Sequence, residues 1–397
     1  MNILMVLSTN KFPPDRRVER EARDLLGAGH AVYLMARRGP DQAAEETFNG
    51  VHVIRVPLPF QRRRVLADMV YYGWQRYIML FYILRCCRRY DIDAIHCHDL
   101  PYALAAGLAA WMLDLPFVLD LHEHYTAMLE MGFEAATYRR FRPLAFLLLG
   151  VLRAEERWAC RRADRVIVVA REHTPRIVGL GVRPERILEV TNTEDGDYFS
   201  GLPVDPALMA EFSGDFVILY VGNFDPERGI DTALQALPRV LEEIPNARLL
   251  LIGKGVSQDE LERLAKGLGL SAHVTFMRFQ PFERLPSFIA LSDVFIIPHI
   301  STPLIEVTMP NKLFQPMILG KAVLVSSTGP MMRVVEDAQC GLVFEERNPE
   351  SLAQQIIALH DPELRKRLGE NGQRAVADRY QWAKTVEPLL AYYRNLR

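Results

Sequence analysis

Histidine and carboxylate side chains gather where two predicted strands end. His98 and Asp99 close one strand, and His122, Glu123 and His124 follow the next strand along the chain. The carboxyl ends of parallel strands share one edge of a sheet, where α/β proteins bind ligands, so we expect these side chains to meet. Imidazoles and carboxylates together suit proton transfer or the binding of a hydroxyl-bearing acceptor. Their spacing alone also permits a metal site.

A turn suited to phosphate follows the predicted strand Phe216–Val221. Gly222 stands directly after this strand and permits a ligand to approach the backbone closely. Asn223 is the next residue, and Arg228 can pair with a phosphate in a charge-assisted contact. We expect phosphate binding here in preference to a simple strand-to-helix turn.

Residues 294–327 contain an apolar run, a polar loop, a helical segment and a second apolar run, which is typical of a βαβ unit. Pro310, Asn311 and Lys312 stand at the start of the predicted helix, whose free backbone N–H groups suit an anion. Lys312 is as compatible with a solvated helix lysine as with a phosphate ligand. The loop is therefore a second candidate for binding a charged ligand.

A basic turn follows the first predicted strand and contains Lys11, Arg16 and Arg17. Cations at a helix N-terminus oppose the helix dipole, so their presence there needs a reason. The turn is equally compatible with a contact to a phosphate or an acceptor and with a solvated helix start.

The elements that must position these groups alternate between strand and helix. Short aliphatic runs such as Asn2–Leu7 and Val294–Ile297 lack polar alternation, which predicts parallel strands buried on both faces. At 397 residues the chain exceeds what one core usually supports. We predict an α/β protein with Rossmann-like domains at residues 1–195 and 196–378 and a closing helix at 379–397.

Composition narrows the class of protein. The apolar content is ordinary and the net charge is −2, which argues for a folded soluble protein and against a nucleic-acid binder. Five cysteines without a C-x-x-C motif favour reduced thiols and no structural zinc. The apolar first residues lack the basic region and cleavage site of an export signal, so we expect a cytoplasmic protein.

The stretch from Arg62 to Arg89 is aromatic and apolar between two groups of arginines. Asp68, Gln75 and Arg76 interrupt it, and charges inside hydrocarbon are costly, so a membrane span is not expected. Either it is a core helix, or it lies on an anionic lipid surface through its aromatics and arginines. We predict a core helix whose arginine ends touch the membrane. Residues 141–151 leave the same two interpretations open.

Five motifs along the chain resemble those of retaining, nucleotide-sugar-dependent glycosyltransferases of family 4, in a branch with the donor motif PNKLF(E/Q). They are P-P-D-R-R-V-E-R-E-A-R near the start, D-A-I-H-C-H-D, D-L-H-E, G-N-F-D-P-E-R-G and P-N-K-L-F-Q-P-M, in family order. The resemblance implies the GT-B fold, with two Rossmann-like domains facing each other across a cleft and a C-terminal helix that packs back on the first domain. It also implies metal-independent transfer.

The resemblance assigns roles residue by residue. Three positions depart from the family pattern: Gln315 replaces a glutamate, Glu306 lies one residue out of register, and Asn223 replaces an arginine. The implied catalytic residues are His122, Glu306 and Arg228. The implied donor-binding residues are Gly222, Asn223, Arg228, Pro310, Asn311, Lys312 and Gln315, and the acceptor-binding residues are Lys11, Arg16, Arg17, His98, Asp99 and Glu123.

The implied function is transfer of a hexose from a nucleotide diphosphate sugar to an acceptor hydroxyl, without a cofactor. The basic, aromatic stretch adds the hypothesis of a lipid-linked acceptor in surface-polysaccharide assembly and of a peripheral position on the inner membrane face. Two alternatives remain: a nucleotide-sugar epimerase or sugar phosphorylase of the same layout, and a degenerate, non-catalytic subunit that binds sugar nucleotides.

Overall fold

The computed structural model describes residues 1–7, 12–58, 65–134 and 142–396. The chain divides into two compact units, one formed by Met1–Val190 with Val386–Arg397 and the other by Thr191–Thr385. Residues 191–195 and 379–385, which the sequence analysis placed in the first domain and the closing helix, fall in the second unit.

The first unit is built on an eight-stranded sheet with the order β3-β4-β2-β1-β5-β6-β7-β8. All neighbouring strands are parallel except β3 and β4, which pair antiparallel. The central strands are buried along nearly their whole length, because helices cover both faces. The strands are β1 (Asn2–Leu7), β2 (Ala31–Arg37), β3 (Glu45–Phe48), β4 (Val51–Val56), β5 (Ala94–His98), β6 (Phe117–Leu121), β7 (Arg165–Val168) and β8 (Ile187–Glu189).

Helices connect these strands. In the first unit they are α1 (Arg16–Gly27), α2 (Val65–Arg89), α3 (Ala103–Leu113), α4 (Tyr125–Glu134), α5 (Arg142–Arg162) and α6 (Thr174–Gly179). Asp15 caps α1, since its side chain accepts a hydrogen bond of 3.2 Å from the Val18 N–H.

The second unit contains a six-stranded, all-parallel sheet with the order β11-β10-β9-β12-β13-β14. Its strands are β9 (Phe216–Val221), β10 (Ala247–Ile252), β11 (Val274–Met277), β12 (Val294–Ile297), β13 (Ala322–Ser326) and β14 (Gly341–Phe344). Its helices are α7 (Gly196–Ser200), α8 (Pro206–Glu211), α9 (Ile230–Glu243), α10 (Gln258–Gly267), α11 (Leu285–Leu291), α12 (Phe314–Ile318), α13 (Gly329–Ala338), α14 (Pro349–Ala358), α15 (Pro362–Ala375) and α16 (Trp382–Thr385).

The last helix, α17 (Glu387–Asn395), belongs to the first unit. Its Tyr393 is fully buried and its ring lies 6.1 Å from that of His96 on β5. The prediction that the closing helix returns to the first domain is confirmed.

The segment between β12 and β13 differs from the prediction in one respect. Asn311–Leu313 form a 3₁₀ turn, and the α-helix that follows has only five residues, Phe314–Ile318. The predicted helical segment is therefore present, but it begins as a 3₁₀ turn and only Phe314–Ile318 are α-helical. Pro310 and Pro316 lack backbone donors, and Gly320, at φ +67°, ends the segment.

Helix α2 has one buried and one exposed face. Met79 and Ile83 belong to the core, whereas Trp74, Tyr77 and Phe81 are 67%, 70% and 59% exposed. Among the described residues, no helix combines the length and hydropathy needed to cross a bilayer. The arginines at 62–64, 139 and 140 and Phe141, on which part of the membrane prediction depends, lie outside the described residues.

Candidate active site

The predicted histidine cluster is assembled by the pairing of β5 with β6. His98 lies opposite Asp120 in the parallel register, and the Asp99 N–H donates to the Asp120 carbonyl at 2.8 Å. The His122 N–H donates to Asp99 Oδ1 at 3.0 Å. These contacts bring the polar ends of the two strands together, as the sequence predicted.

The imidazole of His122 lies between two carboxylates. Its Nδ1 is 3.4 Å from Asp99 Oδ2, and its Nε2 is 3.1 Å from Asp120 Oδ2. The Nδ1 of His98 is 3.2 Å from the same Nε2 and 3.4 Å from Asp120 Oδ2. Burial by itself would lower the pKa of His122, but Asp99 and Asp120 raise it to about 10.

Arg17 of α1 fixes the position of the Asp120 carboxylate. Its guanidinium donates to both oxygens of Asp120 at 3.1–3.3 Å, lies 3.0 Å from Glu21 Oε1, and donates to the Val190 carbonyl at 3.0 Å. Burial opposes the ionisation of Asp120, yet Arg17 and His122 hold its pKa well below its usual range. Arg17 is buried and all its contacts described here are within the protein. Its contact with an acceptor stays a prediction.

Four groups in this region have a composition suited to a metal. Ligand atoms of Glu21, His96, His98 and Asp120 lie within 4.8 Å of one another, and all four residues are buried. Arg17 already contacts both carboxyl groups, and because burial and Asp120 raise the pKa of Glu21 to about 8, the single guanidinium balances the charge of Asp120. The donor set therefore fits a buried ion-pair network better than a metal site.

The remaining predicted acceptor residues have different positions. Arg16 is the first residue of α1 and is partly buried, Glu123 is exposed after β6, and Lys11 lies outside the described residues. Asp120, Glu21 and His96 are not among the site residues predicted from the sequence. A signal for two of them existed: residues two apart on a strand share a face, which pairs Asp120 with His122 and His96 with His98.

In the second unit, Gly222 leaves room over a lysine. Its φ is +150°, and a Cβ at this position would lie 2.9 Å from Lys312 Nζ and 3.0 Å from the Tyr220 hydroxyl. That hydroxyl donates to the Asn223 carbonyl at 2.7 Å, while the rest of Asn223 is exposed. The backbone conformation favours glycine here, and its missing side chain leaves space beside the amine.

Lys312 belongs to a cluster of basic side chains, called here the basic cluster, which consists of Arg228, His299 and Lys312. Lys312 Nζ lies 4.6 Å from the centre of the Tyr220 ring. Burial lowers the pKa of Lys312 well below its usual value, and Arg228 lowers it further. The pKa of His299 is likewise well below its usual value through burial, Lys312 and Arg228.

This cluster has little negative charge of its own. Within the described ranges, no carboxylate lies within 4 Å of Lys312 Nζ, and Arg228 reaches only its sequence neighbour Glu227, at 3.8 Å. Basic side chains without matching anions are a favourable site for a bound anion such as a diphosphate, which would in turn favour the protonated form of Lys312.

Glu306 and Gln315 are already engaged within the protein. The two oxygens of Glu306 accept from Ser301 Oγ at 2.7 Å and from the Gly329 N–H at 3.1 Å, where α13 begins. Gln315 is 4% exposed, and its Nε2 donates to Glu194 Oε2 at 3.2 Å. Pro310 and Asn311 are partly buried. No local sequence pattern links Glu194 to Gln315, because the two residues are far apart in the chain.

Comparisons with known proteins identify the protein family to which both units are similar. The profile of glycosyl transferase 4-like domains matches residues 14–193, and that of glycosyl transferases group 1 matches residues 208–375. The chain is a GT-B glycosyltransferase. It is 27% identical to the GDP-mannose-dependent alpha-(1-6)-phosphatidylinositol monomannoside mannosyltransferase of Mycolicibacterium smegmatis, over 95% of each chain.

Solved structures show the same fold over the whole length of the glycosyltransferase. Sucrose-phosphate synthase from Thermosynechococcus elongatus superposes with a TM-score of 0.79 at 19% identity, covering 100% of this chain and 99% of that one. Anabaena HepE in complex with UDP superposes with a TM-score of 0.72 at 16% identity, covering 100% of both chains. The predicted GT-B fold is confirmed.

Proposed function

We propose that this glycosyltransferase moves a sugar from a nucleoside diphosphate sugar to an acceptor hydroxyl with retention of the anomeric configuration and without a metal. The proposal rests on the basic cluster of Arg228, His299 and Lys312. Arg228 and Lys312 would bind the diphosphate and offset the charge that develops on the leaving group, an electrostatic role that a metal ion plays in other enzymes.

The remaining donor contacts follow from the same unit. Because the Gln315 amide N–H₂ donates to Glu194, its carbonyl oxygen is oriented to accept from a ligand hydroxyl, such as one of the nucleotide ribose. Gly222, Asn223, Pro310 and Asn311 would line the diphosphate, and Glu306 would contact the donor sugar.

We further propose that the acceptor is lipid-linked and that the enzyme is a peripheral cytoplasmic protein at the inner membrane face. On α2, Trp74, Tyr77, Phe81, Arg85 and Arg88 follow at spacings of three, four, four and three residues, which places them on one helical stripe. All five are exposed. Exposed aromatics continued by arginines match an anionic lipid surface in both polarity and charge. The Mycolicibacterium relative acts, by its name, on a phosphatidylinositol mannoside.

Nucleotide binding tests whether Arg228, His299 and Lys312 form a diphosphate site. In a thermal-shift panel of UDP, GDP, ADP and CMP, we expect one nucleoside diphosphate to raise Tm, since a ligand bound only by the native state stabilises it. Arg228→Ala and Lys312→Ala should each abolish the shift, whereas Lys266→Ala, an exposed lysine of α10, should retain it. Equal shifts in all four proteins would contradict the proposed diphosphate site.

Product analysis separates the proposed reaction from its alternatives. With the identified donor and a lipid-linked acceptor, we expect a product that keeps the donor's anomeric configuration, and an unchanged rate in EDTA. Conversion of the sugar nucleotide without acceptor would indicate an epimerase, and phosphorolysis a phosphorylase. Tight nucleotide binding without any turnover would indicate a non-catalytic subunit.

A further inference from the structure

The two ring nitrogens of His122 each face a carboxylate oxygen, Nδ1 toward Asp99 and Nε2 toward Asp120. A neutral imidazole has one N–H and one lone pair, so it would point a lone pair at one of these oxygens. Only the imidazolium donates to both. We propose that His122 is a fixed imidazolium, held by Asp99 and Asp120, that acts through its charge and not as a proton-transfer group.

The charges around the ring balance only in this state. Asp99 and Asp120 contribute two negative charges, and Arg17 contributes one positive charge. Burial, and then Asp120, raise the pKa of Glu21 to about 8, so Glu21 is largely neutral at pH 7. A positive His122 therefore brings the network to zero net charge, which a buried cluster requires. The pKa values of His96 and His98 are lowered, first by burial, so both are neutral.

Arg17 and Asp120 are positioning residues in this network. Arg17 is held by three partners and fixes Asp120 through both carboxylate oxygens. Asp120 in turn fixes the His122 ring. The side chain of His122 remains 17% accessible at the carboxyl edge of the sheet, so its charge borders solvent.

Several groups packed against this ring set its charge. The titratable and charged side chains around it are Arg17 and Glu21 from α1, His96, His98 and Asp99 at β5, Asp120 of β6, and Tyr393 of α17, which contacts His96. Among these, Asp99 is the partner with partial solvent access, at 16%. It is therefore the residue to change with least disturbance of the core.

A histidine NMR titration of the full chain tests the proposal. With histidine labelled at Cε1, the His122 signal is assigned by its loss in His122→Asn. Between about pH 5.5 and 8.5 we expect the His122 signal to stay at the imidazolium position. A His122 midpoint inside this range would overturn the proposal.

The partner variant provides a second readout. In Asp99→Asn the His122 midpoint should move down into the same pH range, and the pH profile of kcat/KM should gain an inflection that the wild-type profile lacks. An unchanged His122 signal in a folded Asp99→Asn protein would contradict the role given to Asp99. The proposal relies on the proposed function only for the presence of substrate at this edge. If no nucleotide binds, the proposed function fails while the NMR result still decides the charge of His122.

Discussion

Single residues decide whether the backbone can approach other groups in this enzyme. Gly229 has φ +63°, and a Cβ there would lie 1.9 Å from the Pro298 carbonyl oxygen. Gly267, at the end of α10, has no atom within 4 Å of the corresponding Cβ position and no positive φ. The two glycines therefore differ both in backbone conformation and in available space.

Gly229→Ala should lower the free energy of unfolding of the second unit by about 2 kcal/mol or more, because it combines a disfavoured φ with a backbone clash. Gly267→Ala is the matched control and should be neutral or stabilising by up to about 1 kcal/mol. Urea unfolding measures both values. Similar midpoints for the two variants would show that the turn at Gly229 adjusts at no cost.

The buried carboxyl of Glu21 makes stability depend on pH. Its pKa of about 8 lies above the unfolded value of 4.5, so between these values the native state binds more protons than the unfolded state. This contribution to stability is complete below about pH 4.5 and is lost as pH rises through 8. We expect Glu21→Gln, which stays neutral, to gain stability relative to wild type between about pH 5 and 9.

The gain should reach at least about 1 kcal/mol, or about 2–4 °C in Tm for a unit of this size. Parallel pH profiles of Tm for wild type and Glu21→Gln would contradict a raised pKa. Glu19→Gln, on the same helix and partly buried, controls for the loss of one acidic side chain from α1.

At the scale of elements, α2 has two functions on its two faces. The inner face packs Met79, Ile83, Cys86 and Cys87 into the core of the first unit. The outer stripe beginning with Trp74, Tyr77 and Phe81 contributes little to folding, because these side chains remain largely in water. Substitutions on the outer face should therefore affect surface binding without affecting stability.

The variant with Trp74, Tyr77 and Phe81 all changed to Ser should fail to float with vesicles containing anionic lipid, at unchanged Tm. A matched variant with exposed apolar residues of the second unit, Val256, Phe279 and Met209, changed to Ser should float like wild type. Raising the salt concentration should weaken flotation, since arginines contribute to it. Flotation of the α2 variant at the wild-type level would refute this surface.

At the scale of the whole molecule, the end of the chain completes the first unit. Tyr393 of α17 is fully buried, and its ring lies 5.9 Å from His30 and 6.1 Å from His96. Its hydroxyl has no hydrogen-bond partner among the described residues. The ring therefore stabilises the unit by packing, while the hydroxyl adds a desolvation cost.

Tyr393→Ala should destabilise the first unit by about 3–5 kcal/mol, the usual cost of removing a buried aromatic ring. Tyr393→Phe keeps the ring and removes the unsatisfied hydroxyl, so it should be neutral or slightly stabilising. Calorimetry of both variants, with and without the bound nucleotide, measures these changes. A large loss in Tyr393→Phe would indicate that the hydroxyl is hydrogen-bonded.

The sequence by itself determined the elements and their order. Apolar runs without alternation become strands buried on both faces, as in Asn2–Leu7, and these signals depend on neighbouring residues only. The glycine directly after β9 predicted that the backbone at Gly222 is accessible to a ligand, and this signal is also local. His98, Asp99 and His122 were found because parallel strands end at one edge of the sheet.

Only the tertiary structure decided which charges meet. Arg17 donates to Asp120, 103 residues away, because the order of strands brings these segments together. Gln315 likewise donates to Glu194, 121 residues away. The Glu306 carboxylate accepts a hydrogen bond from the Gly329 N–H at the start of α13. The predicted helix after Pro310 begins with a 3₁₀ turn. Periodicity and turn chemistry are local, whereas ion pairs in a core depend on packing between distant elements. The charge of His122 is therefore a property of the assembled sheet and not of its motif.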